Sequence, residues 1–562
     1  MFKITVKNLA RTVEGIEGES VRDTLVRNGI DIDTPCNGLG KCGQCGVWVD
    51  EPKKFPETPH ENISQNKSDQ GLRLACQLFP TTDLSILVPE TILRTDKAGD
   101  RILAGDALKF SEINSAVKVY ETANNWWLQY DRESAPQVLK QWAAFFSPKG
   151  VAIDLGTTTV VVTLLSLRTG EELATVSRLN PQIRYGHDIM TRIHHGSTEE
   201  GLEELREAIR QGLDQLLEQA CKDTDSNFLE ILDITIGGNT TMLQLIAGIN
   251  PYPLGRVPFK VDIEGGRSYP VENFGFQVNP EARVYIPPVL HAFIGTDITA
   301  GLVMNKSFFD DSKAVHYIDV GTNGEQALNL HGRRLFCSTA AGPAFEGMGI
   351  SCGMRAAIGA VETVTTDGYG LKIITIGDTP VKGVCGSGLL DLIAALLRLR
   401  VIDYSGRLQP RENLADIDPS VVSRLEPVDG QPAFRLNEGI YLTQRDIRQL
   451  QLAKGAVRAA IEIILDEAGS NSSALDEFII AGGFGSSLDP ESLEIIGLIP
   501  PGIKDKIKFT GNASRSGCAR LLTDVDERRF IEEGLQEIEH IAIEEDPDFM
   551  DRFVSSMEFP EY

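Results

Sequence analysis

Four of the nine cysteines have a spacing that suits a metal cluster near the start of the chain. They follow the pattern C-x5-C-x2-C-x30-C at Cys36, Cys42, Cys45 and Cys76, with glycines among the first three. Thiolates are soft ligands that bind iron well, and a [2Fe–2S] cluster takes four of them. A structural zinc site is an alternative, but such sites usually contain two C-x2-C pairs, and this segment has one. The spacing therefore favours a [2Fe–2S] cluster over zinc or four unrelated core thiols.

The other five cysteines stand singly along the rest of the chain, at Cys221, Cys337, Cys352, Cys385 and Cys518. Isolated thiols usually behave as small buried hydrophobes. We therefore expect these residues to be core thiols in preference to a second metal site.

A glycine turn with the composition of a phosphate site lies at residues 154–159, Asp-Leu-Gly-Thr-Thr-Thr. The backbone N–H groups and hydroxyls around Gly156, Thr157 and Thr158 can converge on one point, which suits phosphate oxygens. Asp154 would hold Mg²⁺ through its water ligands, because hard cations prefer oxygen. Such turns also occur in ordinary hairpins, so one turn alone is a weak signal.

The same arrangement occurs a second time at residues 319–325, Asp-Val-Gly-Thr-Asn-Gly-Glu. The residues that match the first turn are Asp319, Gly321, Thr322, Asn323 and Gly324. A third glycine string, Ala-Gly-Gly-Phe-Gly, contains Gly482 and Gly483. The chain has no P-loop sequence. Two turns that each follow an aspartate, closed by a third glycine string, favour a nucleotide site built from distant parts of the chain.

Three further strings are candidates for the same site. Asp297 precedes a predicted helix, where it either positions an attacking water or, like Thr296, only caps the helix. Asn239 follows a predicted strand and either lines the cleft or caps the next helix. Gly386 and Ser387 precede a predicted helix at residue 389, whose N-terminus would face the nucleotide.

These residues require strands and helices that bring distant turns together. Runs of β-branched residues predict strands over residues 151–165, 231–236, 314–320 and 477–480. Amphipathic spacing predicts helices over residues 198–222, 389–400 and 446–468. A strand, a glycine turn and a second β segment thus occur twice, which predicts an α/β architecture with two similar halves.

The chain divides by composition into four parts. Residues 1–94 predict a small separate domain, with strands at 2–6 and 84–88 and a helix at 21–28. Residues 95–149 predict a packed, aromatic-rich linker with helical spacing over 138–146. Residues 150–523 contain the glycine strings, in lobes of about 150–312 and 313–523. Residues 524–562 predict an acidic helix followed by an irregular end.

The charge balance excludes several classes of partner. The chain has 80 acidic and 54 basic side chains, a net charge of −26. A surface for nucleic acid or anionic lipid is therefore not expected. No apolar run reaches the ~18 residues of a membrane helix, and the start lacks the apolar stretch of a signal peptide. We expect a cytoplasmic protein that does not cross a membrane.

The motifs resemble those of two known families. The cysteine pattern is similar to that of [2Fe–2S] ferredoxins of the β-grasp fold, closer to the adrenodoxin-like spacing than to the plant type. The three glycine strings, in their order, resemble the phosphate-1, phosphate-2 and adenosine motifs of the actin-like (ASKHA) ATPases. That resemblance implies two RNase H-like lobes with ATP in the cleft. Asp154 and Asp319 would organise Mg²⁺, the two turns would clamp the phosphates, and the third string would lie under the adenosine.

The whole order of domains resembles the reductive activators of corrinoid proteins, in which a ferredoxin domain precedes an actin-like core. The strings Gly-Asn-Thr-Thr-Met, Ala-Gly-Pro-Ala-Phe-Glu-Gly and Cys-Gly-Ser-Gly extend the resemblance. It implies an enzyme that uses ATP to deliver one electron to an oxidised Co(II) corrinoid and regenerate Co(I). A corrinoid protein would be the partner and a ferredoxin or flavodoxin the low-potential donor. A homodimer is compatible with this assignment.

Two other functions are compatible with the sequence. A small-molecule kinase with an attached redox sensor would release a phosphorylated product beside Asp297. A ferredoxin-like electron carrier with a non-hydrolysing ATPase fold would bind no ATP productively, although the intact turns at Asp154 and Asp319 disfavour it.

Overall fold

The computed structural model describes residues 2–561, apart from residues 31, 33–44, 56–62, 64, 90–91, 93–106, 111, 122–125, 131–134, 142–145, 187, 429 and 484–487. The chain forms two compact units, each built from two separate stretches of sequence. The first unit contains residues 1–98 and 347–449, and the second contains residues 99–346 and 450–562. All three glycine strings that were compared with phosphate and adenosine motifs lie in the second unit.

The first stretch of the first unit forms a mixed five-stranded sheet with two short helices. Its elements are β1 (Phe2–Val6), β2 (Arg11–Gly15), α1 (Val21–Arg27), β3 (Gly46–Val49), α2 (Gln65–Asp69), β4 (Leu72–Leu74) and β5 (Leu84–Leu87). The strand order is β2-β1-β5-β3-β4, with β1 antiparallel to β2 and parallel to β5. The predicted strands and helix are confirmed, and α1 begins after Ser20, whose hydroxyl accepts a hydrogen bond from the N–H of Asp23. Leu25 packs with Ile4 and Ile86 in the core.

The linker forms a three-stranded antiparallel sheet rather than a helix. Its strands are β6 (Val117–Glu121), β7 (Trp126–Tyr130) and β8 (Gln137–Val138). The helix predicted over residues 138–146 is wrong at its start, because Val138 pairs with Trp127; residues 142–145 lie outside the described residues. A short apolar run does not distinguish helix from strand. The Tyr130 hydroxyl lies 2.7 Å from the carbonyl oxygen of Leu232, so the linker is packed, as predicted.

A six-stranded sheet carries the first glycine turn. Its elements are β9 (Lys149–Leu155), β10 (Thr159–Ser166), β11 (Glu172–Leu179), α3 (Ile189–His195), α4 (Glu199–Asp223), β12 (Ile231–Gly238), α5 (Thr240–Ala247), β13 (Arg267–Pro270), β14 (Arg283–Ile286) and α6 (Thr296–Val303). The strand order is β11-β10-β9-β12-β14-β13. Because β12 runs parallel to β9, Asp154 and Gly237 are neighbours at the same edge of the sheet. The predicted helix over residues 198–222 is confirmed as α4, which packs Leu205 and Ile209 on the sheet.

The second glycine turn lies in an antiparallel meander. Its strands are β15 (Ala314–Val320), β16 (Gly324–Leu330) and β17 (Arg333–Thr339). Asp319 near the end of β15 pairs with Glu325 near the start of β16. The hairpins β9–β10 and β15–β16 therefore have the same plan, which confirms the predicted repetition of strand, glycine turn and strand.

The second stretch of the first unit contains two small sheets and one long buried helix. Its elements are β18 (Ala360–Thr366), β19 (Leu371–Thr375), β20 (Gly383–Val384), α7 (Gly386–Arg398), α8 (Pro419–Val422), β21 (Leu425–Val428), β22 (Gln431–Asn437), β23 (Ile440–Thr443) and the start of α9 (Gln444–Glu467). The sheets have the orders β19-β18-β20 and β21-β22-β23. The helix predicted from residue 389 begins earlier, at Gly386. It packs closely on β18, because a Cβ atom on Gly388 would lie 2.0 Å from the carbonyl oxygen of Val361.

The remaining stretch completes the second large sheet. Its elements are β24 (Glu477–Ala481), α10 (Pro490–Ile495), β25 (Ile507–Gly511), α11 (Ala513–Thr523), α12 (Val525–Gly534), β26 (Glu539–His540) and α13 (Phe549–Met557). The strand order is β25-β24-β15-β16-β17-β26, and β24 runs parallel to β15. Asp319 and Ala481 are therefore neighbours, so the second and third glycine strings begin side by side. Among the helices that the structure describes, none has both the length and the apolar character of a membrane span.

The acidic segment after residue 524 is more ordered than its sequence predicts. In place of one helix and an irregular end, it contains α12, β26 and α13. The Arg528 guanidinium forms a buried 2.6 Å ion pair with Asp233 of β12, and β26 pairs with β17 at the edge of the second sheet. The His540 ring stacks on the His291 ring with centroids 3.7 Å apart. This segment thus contacts both large sheets, and a buried ion pair holds part of it in place.

Candidate active site

The first glycine turn is held by its carbonyl oxygens. The Gly156 carbonyl accepts a hydrogen bond from Asn180 Nδ2 at 2.8 Å, and the Thr157 carbonyl accepts one from Arg192 Nη2 at 2.6 Å. The Thr158 carbonyl accepts from the backbone N–H of Asn180 at 2.8 Å. The N–H groups of Thr157 and Thr158 have no hydrogen-bond partner among the residues that the structure describes. Donors without a protein partner beside fixed carbonyls are what a phosphate-binding turn requires.

The second glycine turn contacts the first through a pair of hydroxyls. Thr158 Oγ1 and Thr322 Oγ1 are 3.2 Å apart. The Thr322 hydroxyl donates to the Glu346 carboxylate at 2.9 Å, and its carbonyl accepts from the N–H of Gly342 at 2.8 Å. The N–H of Gly321 donates to the Asn323 carbonyl at 2.9 Å, which closes the turn, and Gly324 opens β16. Two distant parts of the chain that were both predicted to bind phosphate thus meet.

Asp154 lies at the end of β9 and accepts two side-chain hydrogen bonds. Asn512 Nδ2 and Ser514 Oγ each donate to it at 2.8 Å. Burial raises the pKa of Asp154 above its usual value, against the opposing effect of these two bonds and of Arg515. The carboxylate is therefore oriented by the start of α11.

Carboxyl groups gather around Asp319. Burial raises the pKa of Asp319 to about 8, and the carboxylates of Asp297, Asp154 and Glu346 add to the rise. Burial likewise raises the pKa of Asp297 to about 6, and Asp154 contributes. Burial also raises the pKa of Glu325 well above its usual value. A cation would relieve this repulsion, and oxygen donors of this kind suit Mg²⁺. Among the described residues, no three such groups lie close enough to ligate a metal directly.

The third glycine string follows β24 and makes a close backbone approach. Gly482 has φ of +126°, and a Cβ atom there would lie 2.5 Å from the carbonyl oxygen of Val320. Its N–H donates to the Gly511 carbonyl at 3.0 Å. A Cβ atom on Gly483 would meet no atom of the described residues within 4 Å. Residues 484–487 of the string lie outside the described residues.

Asn239 both caps a helix and contacts the first turn. Its Oδ1 accepts from the N–H of Met242 at the start of α5, at 3.1 Å, and its Nδ2 donates to Thr157 Oγ1 at 2.8 Å. The capping interpretation is confirmed, and the same side chain lines the candidate site. One amide thus fixes the first turn relative to α5.

Asp297 lies in the first turn of α6, but neither Asp297 nor Thr296 caps this helix. The capping interpretation is therefore wrong. The cap position is Gly295, which has no side-chain cap. Thr296 Oγ1 instead accepts from the N–H of Gly238 at 3.1 Å. The Asp297 carboxylate accepts from the N–H of Ile298 at 3.0 Å, and its own backbone N–H also lowers its pKa.

Gly386 and Ser387 belong to the first unit. Both are buried, and the Cys385 thiol before them lies 3.1 Å from the Val361 carbonyl oxygen. Cys337 and Cys352 are also buried free thiols, as predicted for core residues.

Two of the predicted cluster cysteines lie side by side just outside strands, Cys45 before β3 and Cys76 after β4. The sulfur atoms of Cys45 and Cys76 are 3.3 Å apart, and both residues are buried. Two adjacent thiols fit a shared iron site. Cys36 and Cys42 lie outside the described residues.

Several site residues were not found from the sequence. They are Asn180, Arg192, Glu325, Glu346, Asn512 and Ser514. Asn512 could have been found, because it follows a strand and begins a helix, as Asn239 does. Arg192 gave no such signal, because its contact with Thr157 spans 35 positions between an ordinary helix and a turn.

Three protein-family models match parts of the chain. The 2Fe-2S iron-sulfur cluster binding domain matches residues 4–81, and the RACo middle region matches residues 149–307. The C-terminal domain of RACo, the ASKHA domain, matches residues 313–562. The predicted fold class, a ferredoxin domain followed by an actin-like ASKHA core, is therefore confirmed.

The chain is similar over most of its length to characterised activators. It is 28% identical to the corrinoid activation enzyme RamQ of Eubacterium limosum, over 96% of each chain. It is 28% identical to the [Co(II) methylated amine-specific corrinoid protein] reductase of Methanosarcina barkeri, over 67% of this chain and 70% of that one. The solved structure of a reductive activator for a corrinoid, iron-sulfur protein matches with a TM-score of 0.73 and 28% identity, over 100% of this chain and 99% of that one.

Both the order of the matched domains and the near full-length similarity agree with the resemblance seen in the motifs. The alternative of a small-molecule kinase with an attached redox sensor would not account for the match to the RACo middle region. The chain belongs to the RACo-like reductive activators of corrinoid proteins.

Proposed function

We propose that this chain is an ATP-dependent one-electron reductase that returns the oxidised Co(II) corrinoid of a partner protein to Co(I). The observation that supports this most is the contact between Thr158 and Thr322, because it joins two phosphate-type turns in a member of this family. One electron enters the chain for each electron that reaches cobalt. Moving it uphill by about 100 mV costs about 2.3 kcal/mol, which ATP hydrolysis would offset.

In this proposal the two turns hold the nucleotide phosphates between them. The N–H groups of Thr157 and Thr158 would donate to phosphate oxygens, and the Thr322 turn would close the other side. Asp154 and Asp319 would hold Mg²⁺ through its water ligands, since the described carboxylates are too far apart to ligate it as a set of three. Gly482 and Gly483 would lie under the adenosine, where space that no described residue fills adjoins a close backbone approach.

Asp297 would position the attacking water. Its pKa of about 6 leaves it mostly ionised at neutral pH. An ionised carboxylate orients water for in-line attack on a phosphate.

The cluster would be held by Cys36, Cys42, Cys45 and Cys76, and when bound it supplies single electrons at low potential. We propose that a ferredoxin or flavodoxin reduces the chain and that the electron passes on to a corrinoid protein. The partner would bind differently in the two nucleotide states, because only a difference in affinity lets hydrolysis drive the step. We place this activity in the cytoplasm, and a homodimer is compatible with it.

The test mixes the reduced full-length protein with a Co(II) corrinoid protein of a methyltransferase system under anaerobic conditions. Growth of the Co(I) absorption band on addition of Mg²⁺ and ATP is expected, with little growth when a non-hydrolysable ATP analogue replaces ATP. If no corrinoid partner yields ATP-stimulated Co(I), the proposal is wrong. Analysis of the phosphate product separates this function from a kinase, because hydrolysis releases free phosphate.

A further inference from the structure

Arg192 is a buried cation that forms no ion pair with the part of the chain that the structure describes. It lies on α3, its side chain is fully buried, and it is the largest fully buried side chain in the chain's described part. None of the ion pairs among the described residues includes Arg192. Among the described residues, the charged group that raises the pKa of Arg192 is Asp188, which is exposed and therefore screened by water. Buried charges in proteins are ordinarily paired.

The contacts of Arg192 are neutral and point toward the first glycine turn. Nε donates to the Gly186 carbonyl at 2.9 Å, and Nη2 donates to the Thr157 carbonyl at 2.6 Å. Nη1 lies 3.0 Å from Met242 Sδ, a weak acceptor. The guanidinium thus holds the turn without losing its charge to a carboxylate, and burial lowers its pKa to about 9, which leaves it charged at neutral pH.

The peptide groups of the first glycine turn are oriented so that the Arg192 charge adds to their dipoles. Thr157 is fixed twice, by Arg192 at its carbonyl and by Asn239 at its hydroxyl. The carbonyl oxygens of three successive residues face the protein, so the peptide dipoles direct the N–H groups of Thr157 and Thr158 the other way. A positive charge behind these dipoles adds to the attraction for an anion in front of them.

We propose that Arg192 is a positioning residue whose uncompensated charge, acting through the Thr157 peptide, makes the first turn selective for the polyphosphate of the nucleotide. The inference rests on the proposed function, since it takes the anion to be ATP. Arg192 does not touch the phosphate itself. It holds the turn and supplies the positive potential, and the bound phosphate provides the counter-ion that the described residues do not.

The experiment compares nucleotide binding by the full-length wild type and three variants in the presence of Mg²⁺. Arg192→Met removes the charge at similar length, Arg192→Lys keeps it, and Arg184→Met removes an exposed arginine from the same segment as a matched control. Calorimetry gives dissociation constants for a non-hydrolysable ATP analogue, ADP and adenosine. We expect Arg192→Met to weaken binding of the ATP analogue at least tenfold. Binding of ADP should weaken less, and binding of adenosine should weaken less than twofold. Arg192→Lys and Arg184→Met should keep the wild-type ratio of ATP to adenosine affinity within threefold.

The outcomes separate charge from structure. If Arg192→Met weakens binding of all three ligands equally, the residue only supports the fold, and the inference is overturned. If Arg192→Met does not fold, Arg192→Lys is the deciding variant. Loss of the wild-type ratio of ATP to adenosine affinity in Arg192→Lys would also overturn the inference. A wild type that binds no ATP would overturn the proposed function, whereas a wild type that binds ATP as tightly as Arg192→Met would overturn only this inference.

Discussion

Thr158 and Thr322 are separated by 164 positions, and their hydroxyl oxygens lie 3.2 Å apart. Because Thr322 donates its proton to Glu346, Thr158 is the donor in this contact. The result is a short chain of hydrogen bonds that joins one glycine turn to the other. Each turn therefore depends on the other for its position.

Replacing Thr322 with Val removes both of its hydrogen bonds and changes the volume little. Two bonds of about 1 kcal/mol each are lost, so we expect the rate of ATP hydrolysis at saturating ATP to fall at least about tenfold. A phosphate-release assay measures this rate. Thr322→Ser, which keeps the hydroxyl, is the control, and a valine variant as fast as wild type would contradict the role of the contact.

Asp319 should make the stability of the nucleotide-free chain depend on pH. Its pKa is raised to about 8, mainly by burial, so the folded chain keeps a proton that the unfolded chain releases near pH 4. This contribution to stability is complete below about pH 4 and is lost as the pH rises through about 8. Asp319→Asn should therefore show a smaller fall in melting temperature between pH 6 and pH 8, measured by thermal unfolding.

The same Asp319→Asn variant should lose ATP hydrolysis while the visible spectrum of the cluster is unchanged. Asp310→Asn is a suitable control, because Asp310 is exposed in a loop and bonds only to nearby residues of that region. A variant that retains the wild-type pH dependence and wild-type hydrolysis would show that the buried carboxyl is not part of the site.

Ser514 should affect the pH at which Asp154 loses its proton. Its hydroxyl bond lowers the pKa of Asp154, so Ser514→Ala raises that pKa further above its usual value. The acidic limb of the pH profile for kcat/KM should therefore move to higher pH. Ser516→Ala is the matched control, since that hydroxyl donates at 2.9 Å to the Asn512 carbonyl of its own helix. No movement of the limb would separate Ser514 from the chemistry.

Cys76→Ala should abolish the cluster and leave the nucleotide site intact. The cysteine lies 3.3 Å from Cys45, sulfur to sulfur, and belongs to the first unit. We expect loss of the visible iron–sulfur absorption and of Co(I) formation, with ATP hydrolysis unchanged. Cys221→Ala, a buried free thiol elsewhere, should preserve both properties. Retention of a full cluster by Cys76→Ala would reject this ligand.

Local patterns allowed the glycine turns and most elements around them to be predicted from the sequence. Asp154 and Asp319 each end an apolar run before Gly-Thr, and the strand–turn–strand order is local in both cases. The helix α4 was likewise predictable, because 25 residues of amphipathic spacing leave little ambiguity.

The parts that could not be predicted depend on long-range contacts. Ser514 meets Asp154 across 360 positions, and no spacing rule connects a serine at a helix start with a particular strand. Val138 was assigned to a helix because its apolar neighbours repeat helically, yet pairing with Trp127 decides its conformation. The same limit applies to residues 347–449, which interrupt the second unit in sequence but belong to the first in space.

The segment after residue 524 has a consequence for movement in the second unit. Arg528 is fixed to the first large sheet by a buried ion pair, and β26 is fixed to the second by strand pairing. One continuous segment of chain therefore straps the two sheets together on the side of His291 and His540. Separation of the two sheets on this side would have to break a buried ion pair or release an edge strand, so this segment opposes their relative movement.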